Sequence, residues 1–173
     1  IILAKGATHY ENFHYWGFRY LVVTVRGPAP RLELRLGVRS VGYPLTGIAN
    51  FKTSSARLNR IFESCYRSQQ CCMTDAYMDC PSYEQAMWWG DAHVQSFATH
   101  YLSNDNRLFR RGIEIMARHK SPAGVLYGLA PAPLFNWVMP DYTLSWIWSH
   151  WEYCWRTGDI RLFRQLAPEI ESI

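Results

Sequence analysis

The hydrophobic period of this chain changes near residue 48, and few folds tolerate such a change. Residues 17–25, Gly-Phe-Arg-Tyr-Leu-Val-Val-Thr-Val, are β-branched and aromatic and run into a Gly27-Pro28 breaker. Residues 31–39 then alternate polar and apolar, as Arg31, Leu32, Glu33, Leu34, Arg35, Leu36. A period of two sends neighbouring side chains to opposite faces, so both runs are expected as antiparallel strands of a half-buried sheet. Two or three strands do not make a stable sheet domain alone. Residues 1–48 therefore read as the C-terminal strands of a β-sandwich and its linker, with Gly42-Tyr43-Pro44-Leu45-Thr46-Gly47 as the junction. From residue 49 the period is helical, with no parallel-sheet pattern, and an all-α array of helical hairpins is expected over 49–173.

Five helices follow from the spacing. The first starts after a cap at Ser54 or Ser55 and presents Leu58, Ile61, Phe62, Cys65, Tyr66 and Cys72 or Met73 as an apolar stripe. A second, opening shortly after Pro81, carries Met87, Asp91, Val94, Ala98 and Tyr101 on one face. A third, at about 105–119, turns Leu108, Phe109, Gly112, Ile113 and Met116 inward and most of its arginines outward. The fourth, 141–157, stacks Leu144, Ile147, Trp148, Trp151, Cys154 and Trp155 inward and stops at Gly158. Asp159 then caps a fifth helix with Leu162, Phe163 and Leu166.

The densest chemistry lies in Asp79-Cys80-Pro81-Ser82-Tyr83-Glu84-Gln85-Ala86-Met87-Trp88-Trp89-Gly90-Asp91. On a helix, Glu84 and Asp91 stand two turns apart with Trp88 between them, so one face reads acid, indole, acid. Sugars suit that combination, because carboxylates accept hydrogen bonds from vicinal hydroxyls while an indole covers the apolar face of the ring. Asp91 also falls on the apolar stripe, where a carboxylate must be paired, hydrogen-bonded or at the mouth of a cavity. The plainer alternative is a helix entrance, with Asp79 as cap and Glu84 as a solvated first-turn acid; the density of the whole stretch favours a site. The loop 121–140 is long enough to suggest a role in binding, with Tyr127 and Trp137 as candidate cleft walls. Asp141 is a weaker candidate for a sugar contact, since aspartate is a routine helix cap.

This stretch resembles the hallmark of the α-L-rhamnosidases of glycoside hydrolase family 78, Asp-Cys-Pro-x-Arg-Glu followed a few residues later by Gly-Trp-x-Gly-Asp. Asp79, Cys80, Pro81, Glu84, Trp88, Gly90 and Asp91 match it, whereas Tyr83 stands at the arginine and Met87 at the glycine before tryptophan. Residues 13–20 also resemble the Gly-Phe-Arg-Tyr strand that closes the β-domain of these enzymes. The resemblance implies a mainly α fold, the first part of an (α/α)6 barrel over 49–173 preceded by the last strands of a β-sandwich. It implies inverting hydrolysis of a rhamnose-containing oligosaccharide or glycoside, with Glu84 as general acid. Asp79, Asp91 and Trp88 would then hold the hydroxyls and ring of the sugar, and the general base would lie further downstream than these residues reach. Two alternatives stay open: the same barrel acting on another sugar, which Tyr83 and Met87 would permit, or a non-catalytic carbohydrate-binding relative.

Composition removes other classes. Aromatic residues make up 16% of the chain, with eight tryptophans and eleven tyrosines, more than a core of this size needs, so some are expected to face a ligand. The net charge of +4 comes from interspersed signs without a basic run carrying aromatics, which argues against a nucleic-acid partner. Five cysteines lack metal-type spacing, and adjacent Cys71 and Cys72 cannot share one partner on a helix, so buried free thiols are expected. His93 and His100 could share a helix face but have no third ligand, so no metal or other cofactor is expected. The longest uncharged run, 121–140, holds four prolines and two glycines and cannot be a membrane helix. With no initiator methionine and an abrupt end at Ile173, the chain reads as an internal fragment, inactive by itself.

Overall fold

A computed structural model describes residues 2, 6–27, 32–131 and 137–173. The chain forms two compact units, Ile1–Val41 and Gly42–Ile173. In the first, no strand forms among the described residues, in contrast to the two expected from the alternating pattern. Pro28 of the breaker and Arg31 lie outside the described residues. Alternation fixes which side chains share a face, but a strand exists only where a neighbouring edge accepts its backbone hydrogen bonds. Here Phe18, Leu21, Val22, Leu36 and Val38 are exposed, and the polar contacts are surface pairs such as Arg35 with Glu33 and Arg39 with Glu11.

The second unit contains α1 (Ala56–Cys71), α2 (Trp89–Ser103), α3 (Arg107–Ala117), α4 (Pro140–Thr157) and α5 (Arg161–Glu171). Ser55 caps α1 by accepting the Leu58 N–H, and α4 starts on Pro140 and ends at Gly158, whose φ of 69° lets its N–H reach the Cys154 carbonyl. Before α5, Asp159 accepts the Arg161 N–H at 2.9 Å, and the Arg161 side chain holds the carboxyl at a pKa of about 2. The core centres on α3, with Leu108, Phe109, Ile113 and Met116 packed among Trp89, Trp146, Leu126 and Leu162. That inward face is the one its spacing predicts.

The faces of the other long helices differ from the expectation. On α1, Leu58, Ile61 and Cys65 are exposed and only Gln69 is fully buried. On α2, Val94, Ala98 and Tyr101 face outward while Trp89, Ala92, Ser96, Thr99 and Leu102 are buried. On α4, Leu144, Trp148, Trp151 and Trp155 are exposed, with successive indole centroids 4.9 and 5.6 Å apart. Its buried face is instead Thr143, Trp146, Ser149, His150, Glu152 and Tyr153. The reason is that these buried polar side chains find hydrogen-bond partners: Glu152 with His93 and Arg156 with Ser96 across α2 and α4, and Thr143, Ser149 and His150 on backbone carbonyls four residues earlier. A rule that equates apolar with inward misassigns such a pair. On α5, Leu162 and Leu166 are buried and Phe163 is exposed. The cysteines are free but not buried: Cys65 and Cys71 are exposed and Cys72, Cys80 and Cys154 half-buried, because α1 packs through few of its residues. Among the described residues no helix is long and apolar enough to cross a membrane.

Candidate active site

Helix α2 begins at Trp89, not just after Pro81. Residues 81–84 form a turn, and Gln85 takes a left-handed φ of 55°, which breaks any continuous helix from Glu84 to Asp91. The expected helical face is thus replaced by a loop. Asp79 closes its base, donating its N–H to the Ala86 carbonyl at 3.0 Å and accepting the Ala86 N–H on Oδ1 at 2.9 Å. Inside it, the Glu84 N–H donates to Cys80 Sγ at 3.3 Å and Gln85 Nε2 donates to the Pro81 carbonyl at 2.9 Å. The loop folds Glu84 back on α2, where Trp88 Nε1 donates to Glu84 Oε2 at 2.7 Å. Asp91 stands in the first turn of the same helix.

A second wall comes from the connection between α3 and α4. Trp88 pairs with Leu129 and Tyr127 with Val138 as isolated antiparallel bridges. The Trp89 N–H donates to the Gly128 carbonyl at 2.9 Å and the Gly128 N–H to the Trp137 carbonyl at 2.8 Å. These bonds bring Trp137 to Trp88, ring centroids 5.9 Å apart. Gly128 lets these side chains come close: a Cβ there would lie 2.8 Å from Met139 Sδ and 3.2 Å from the Trp88 ring, so Met139 would have to shift. The third wall is the first turn of α4: the Tyr142 ring lies against Gly90 so closely that a Cβ there would sit 2.6 Å from its Cε1 and Cζ.

Together these elements enclose an open cleft of about 360 Å³ lined by Asp79, Glu84, Trp88, Asp91, Trp137, Met139 and Tyr142. Three carboxylates meet two indoles and a phenol, and among the described residues no cationic side chain lines the cleft. Burial, then the Asp79 and Glu84 charges, push the Asp91 carboxyl above its ordinary pKa. Burial, then Asp91 and Asp141, push the Tyr142 phenol up as well. An unmatched acidic cleft floored by aromatic rings accepts hydrogen bonds from a neutral polyol well and repels anions.

Of the residues singled out from sequence, Asp79, Glu84, Trp88, Asp91 and Trp137 share this cleft. Asp141 is exposed one residue before Tyr142 and does not line it, and Tyr127 is half-buried away from it. Residues 132–136 of the long connection lie outside the described residues. Tyr142 and Met139 went unnoticed; Gly90 is the signal that could have found Tyr142, since a glycine in a first helical turn leaves space for a ring. His93 makes no pair with His100: its Nε2 meets Glu152 Oε2 and its Nδ1 meets Ser145 Oγ, both at 2.7 Å. Among the described residues no group of three or more His, Cys, Asp or Glu side chains could hold a metal ion.

The family model for the bacterial alpha-L-rhamnosidase 6 hairpin glycosidase domain matches residues 46–172. Among solved structures, the chain is similar to a family 78 rhamnosidase of Bacillus sp. GL1, with 26% identity and a TM-score of 0.69 over 76% of this chain and 14% of that one. It is also similar in fold to a rhamnosidase from Klebsiella oxytoca with rhamnose bound, at 21% identity and a TM-score of 0.64, over 77% of this chain and 26% of that one. The chain therefore spans about a seventh and about a quarter of these two relatives. No curated protein matches it.

Proposed function

The chain belongs to the bacterial α-L-rhamnosidase six-hairpin glycosidase family, and we propose that it carries the acid side of an inverting α-L-rhamnosidase that removes terminal α-L-rhamnose from glycans or glycosides. The observation that carries this reading is the cleft, where Asp79, Glu84 and Asp91 converge with Trp88 and Trp137 and, among the described residues, no cation neutralises them. In the proposed reaction Glu84 is the general acid. Its Oε2 accepts from the Trp88 indole, which leaves Oε1 to carry the proton delivered to the glycosidic oxygen. As that bond breaks, the aglycone departs as an alcohol and a water adds to the anomeric carbon from the opposite face. The water's proton passes to a second carboxylate, which in an inverting pair stands roughly 6.5–9.5 Å from the first. That base lies outside this chain, so these residues alone do not complete the site. Asp79 and Asp91 hold sugar hydroxyls, and Trp88 and Trp137 cover the apolar side of the ring. Asp141, exposed at the cleft's edge, would meet only a substrate extending beyond the terminal sugar.

The same reading assigns residues 49–173 to the opening hairpins of an (α/α)6 barrel and residues 1–48 to the last strands and linker of a β-sandwich. Exposed Leu34, Leu36 and Val38 support the second assignment, since alternate apolar side chains on one run are what a sheet face buries.

The test is hydrolysis of a rhamnosyl disaccharide by the full-length protein, wild type beside Glu84→Gln. Cleavage by the wild type and a loss of about 10²-fold or more in a folded variant supports the reading. Binding of rhamnosides without cleavage by either protein overturns it in favour of a non-catalytic member. Cleavage of a different glycoside transfers the acid role to another sugar, a result that Tyr83, exposed where the hallmark has arginine, makes informative.

A further inference from the structure

We propose that Gln85 and Cys80 are positioning residues for Glu84, an inference that rests on the reading of Glu84 as the general acid. A proton donor works only within hydrogen-bond reach of the leaving oxygen, so its backbone must be set beforehand. Glu84 is exposed, so burial does little to set its backbone. Within the loop that Asp79 and Ala86 close, a pair of side-chain bonds on either side of the turn holds that backbone. Cys80 Sγ accepts the Glu84 N–H at 3.3 Å, tying the acid's own backbone to the residue four before it. Gln85 Nε2 donates to the Pro81 carbonyl at 2.9 Å, tying the residue after the acid to the start of the turn.

The backbone conformation of Gln85 adds an independent argument. Its φ of 55° lies where a Cβ is crowded and glycine is at ease, and among the described residues Asn104 is the only other non-glycine residue with positive φ. Asn104 ends α2, a place where a left-handed cap is ordinary. Gln85 ends no helix; the strain falls beside the acid, and a glycine would relieve it but lose the amide that reaches Pro81. The sequence therefore keeps a side chain in a strained conformation at a position from which its amide holds the turn. With the Trp88 indole on Oε2, Glu84 is held through its amide, its flanking residue and its carboxylate.

The experiment compares Gln85→Gly, Cys80→Ala and Cys80→Ser in the full-length protein, with Glu84→Gln as reference. Each is assayed on a rhamnosyl disaccharide and on an aryl rhamnoside whose leaving group needs little protonation. Gln85→Gly should unfold at or above the wild-type temperature, because it relieves strain. It should nevertheless lose about 10-fold in kcat on the disaccharide and under about 3-fold on the aryl substrate, with KM little changed. Cys80→Ala should show the same split to a smaller degree, and Cys80→Ser, which keeps an acceptor, should restore most of it. Equal losses on both substrates, or none on either, overturn the positioning role while Glu84→Gln still shows the split. If Glu84→Gln shows no split, the acid reading fails and the positioning role falls with it.

Discussion

Two clusters of charged side chains in the helical unit are arranged in opposite ways. In the cleft, Asp79, Glu84 and Asp91 approach one another without a cation, on a loop and a helix start open to solvent. In the seam between α2 and α4, Glu152 is buried and fully engaged. It meets His93 at 2.7 Å, accepts Trp148 Nε1 at 3.0 Å and lies 3.6 Å from Arg156, which donates to Ser96 and sits over the Phe97 and Phe109 rings. Burying a charge is tolerable only when partners replace water, and the seam supplies them. In the cleft Asp79 Oδ1 and Glu84 Oε2 each accept one N–H, but among the described residues no cation pairs with the three carboxylates, and the accepting capacity left over lies at an opening where hydroxyls of a ligand can use it. Similar residues thus hold helices together in one place and, on the proposed function, take up a sugar in the other.

The largest effect should come from breaking the seam. Glu152→Ala leaves His93 and Arg156 without their common partner in a buried place, and should cost about 3–5 kcal/mol in urea unfolding of the full-length protein. Glu84→Ala in the same assay should move the transition by less than about 0.5 kcal/mol, since nothing packs on the exposed acid. Comparable losses for the two would erase the distinction between a structural and a functional cluster. Next in size is the converse: Glu84→Gln should lower turnover of a rhamnosyl disaccharide about 10²-fold or more while the melting temperature stays put, and a Glu152→Gln protein that still folds should retain most of its activity. Turnover rates paired with melting curves check both halves.

How much of this could be read in the sequence depended on the kind of burial involved. Helix α3 was legible because its inward face is purely apolar, Leu108, Phe109, Ile113 and Met116, and its outward face carries the arginines. Helix α4 was not, because its buried side bears Ser149 and His150, which bond carbonyls of α4 itself, and Glu152, whose partner His93 sits on α2 some sixty residues away, while its tryptophans form the exposed side. Periodicity sees only one helix at a time. The members of the cleft were legible as a cluster, five of the seven named residues sharing it while Asp141 and Tyr127 do not, but the reason given for their proximity was wrong. A helix from Pro81 was inferred from spacing, whereas the left-handed Gln85 and the Asp79–Ala86 closure make a loop. Tyr142 stayed hidden because its contact with Gly90 joins two helices.

That contact gives the third prediction. Gly90→Ala adds a methyl 2.6 Å from the Tyr142 ring, which must swing away, so helix propensity gained is outweighed by crowding. The variant should lose about 1–2 kcal/mol of stability and bind rhamnosides more weakly, with KM rising more than kcat falls. Adding Tyr142→Ala should recover stability but not binding. A double-mutant cycle over unfolding free energies and KM measures both, and strict additivity would mean that the ring and the glycine do not meet.

The smallest effect sharpens the contrast between matched and unmatched charge, and its sign is set by pH. In the folded chain the Asp91 carboxyl is pushed above its ordinary 3.8 by burial, Asp79 and Glu84. Between 3.8 and the raised value the folded state binds more protons than the unfolded one, so stability falls as pH rises through that window. The contribution of protonated Asp91 is fully present below 3.8 and gone above the raised value. Asp91→Asn removes this dependence and should stabilise the protein near neutral pH, by less than about 1 kcal/mol because solvent screens an exposed carboxylate. The gain should vanish below 3.8. Asp159, held down to about 2 by Arg161, has the opposite sign: its contribution is present at neutral pH and lost only as the medium becomes strongly acid. Urea midpoints for Asp91→Asn and Asp159→Asn across this range should therefore diverge from wild type in opposite directions near neutral pH. Parallel shifts would mean that the Asp91 charge is already balanced by the protein and has no need of a ligand.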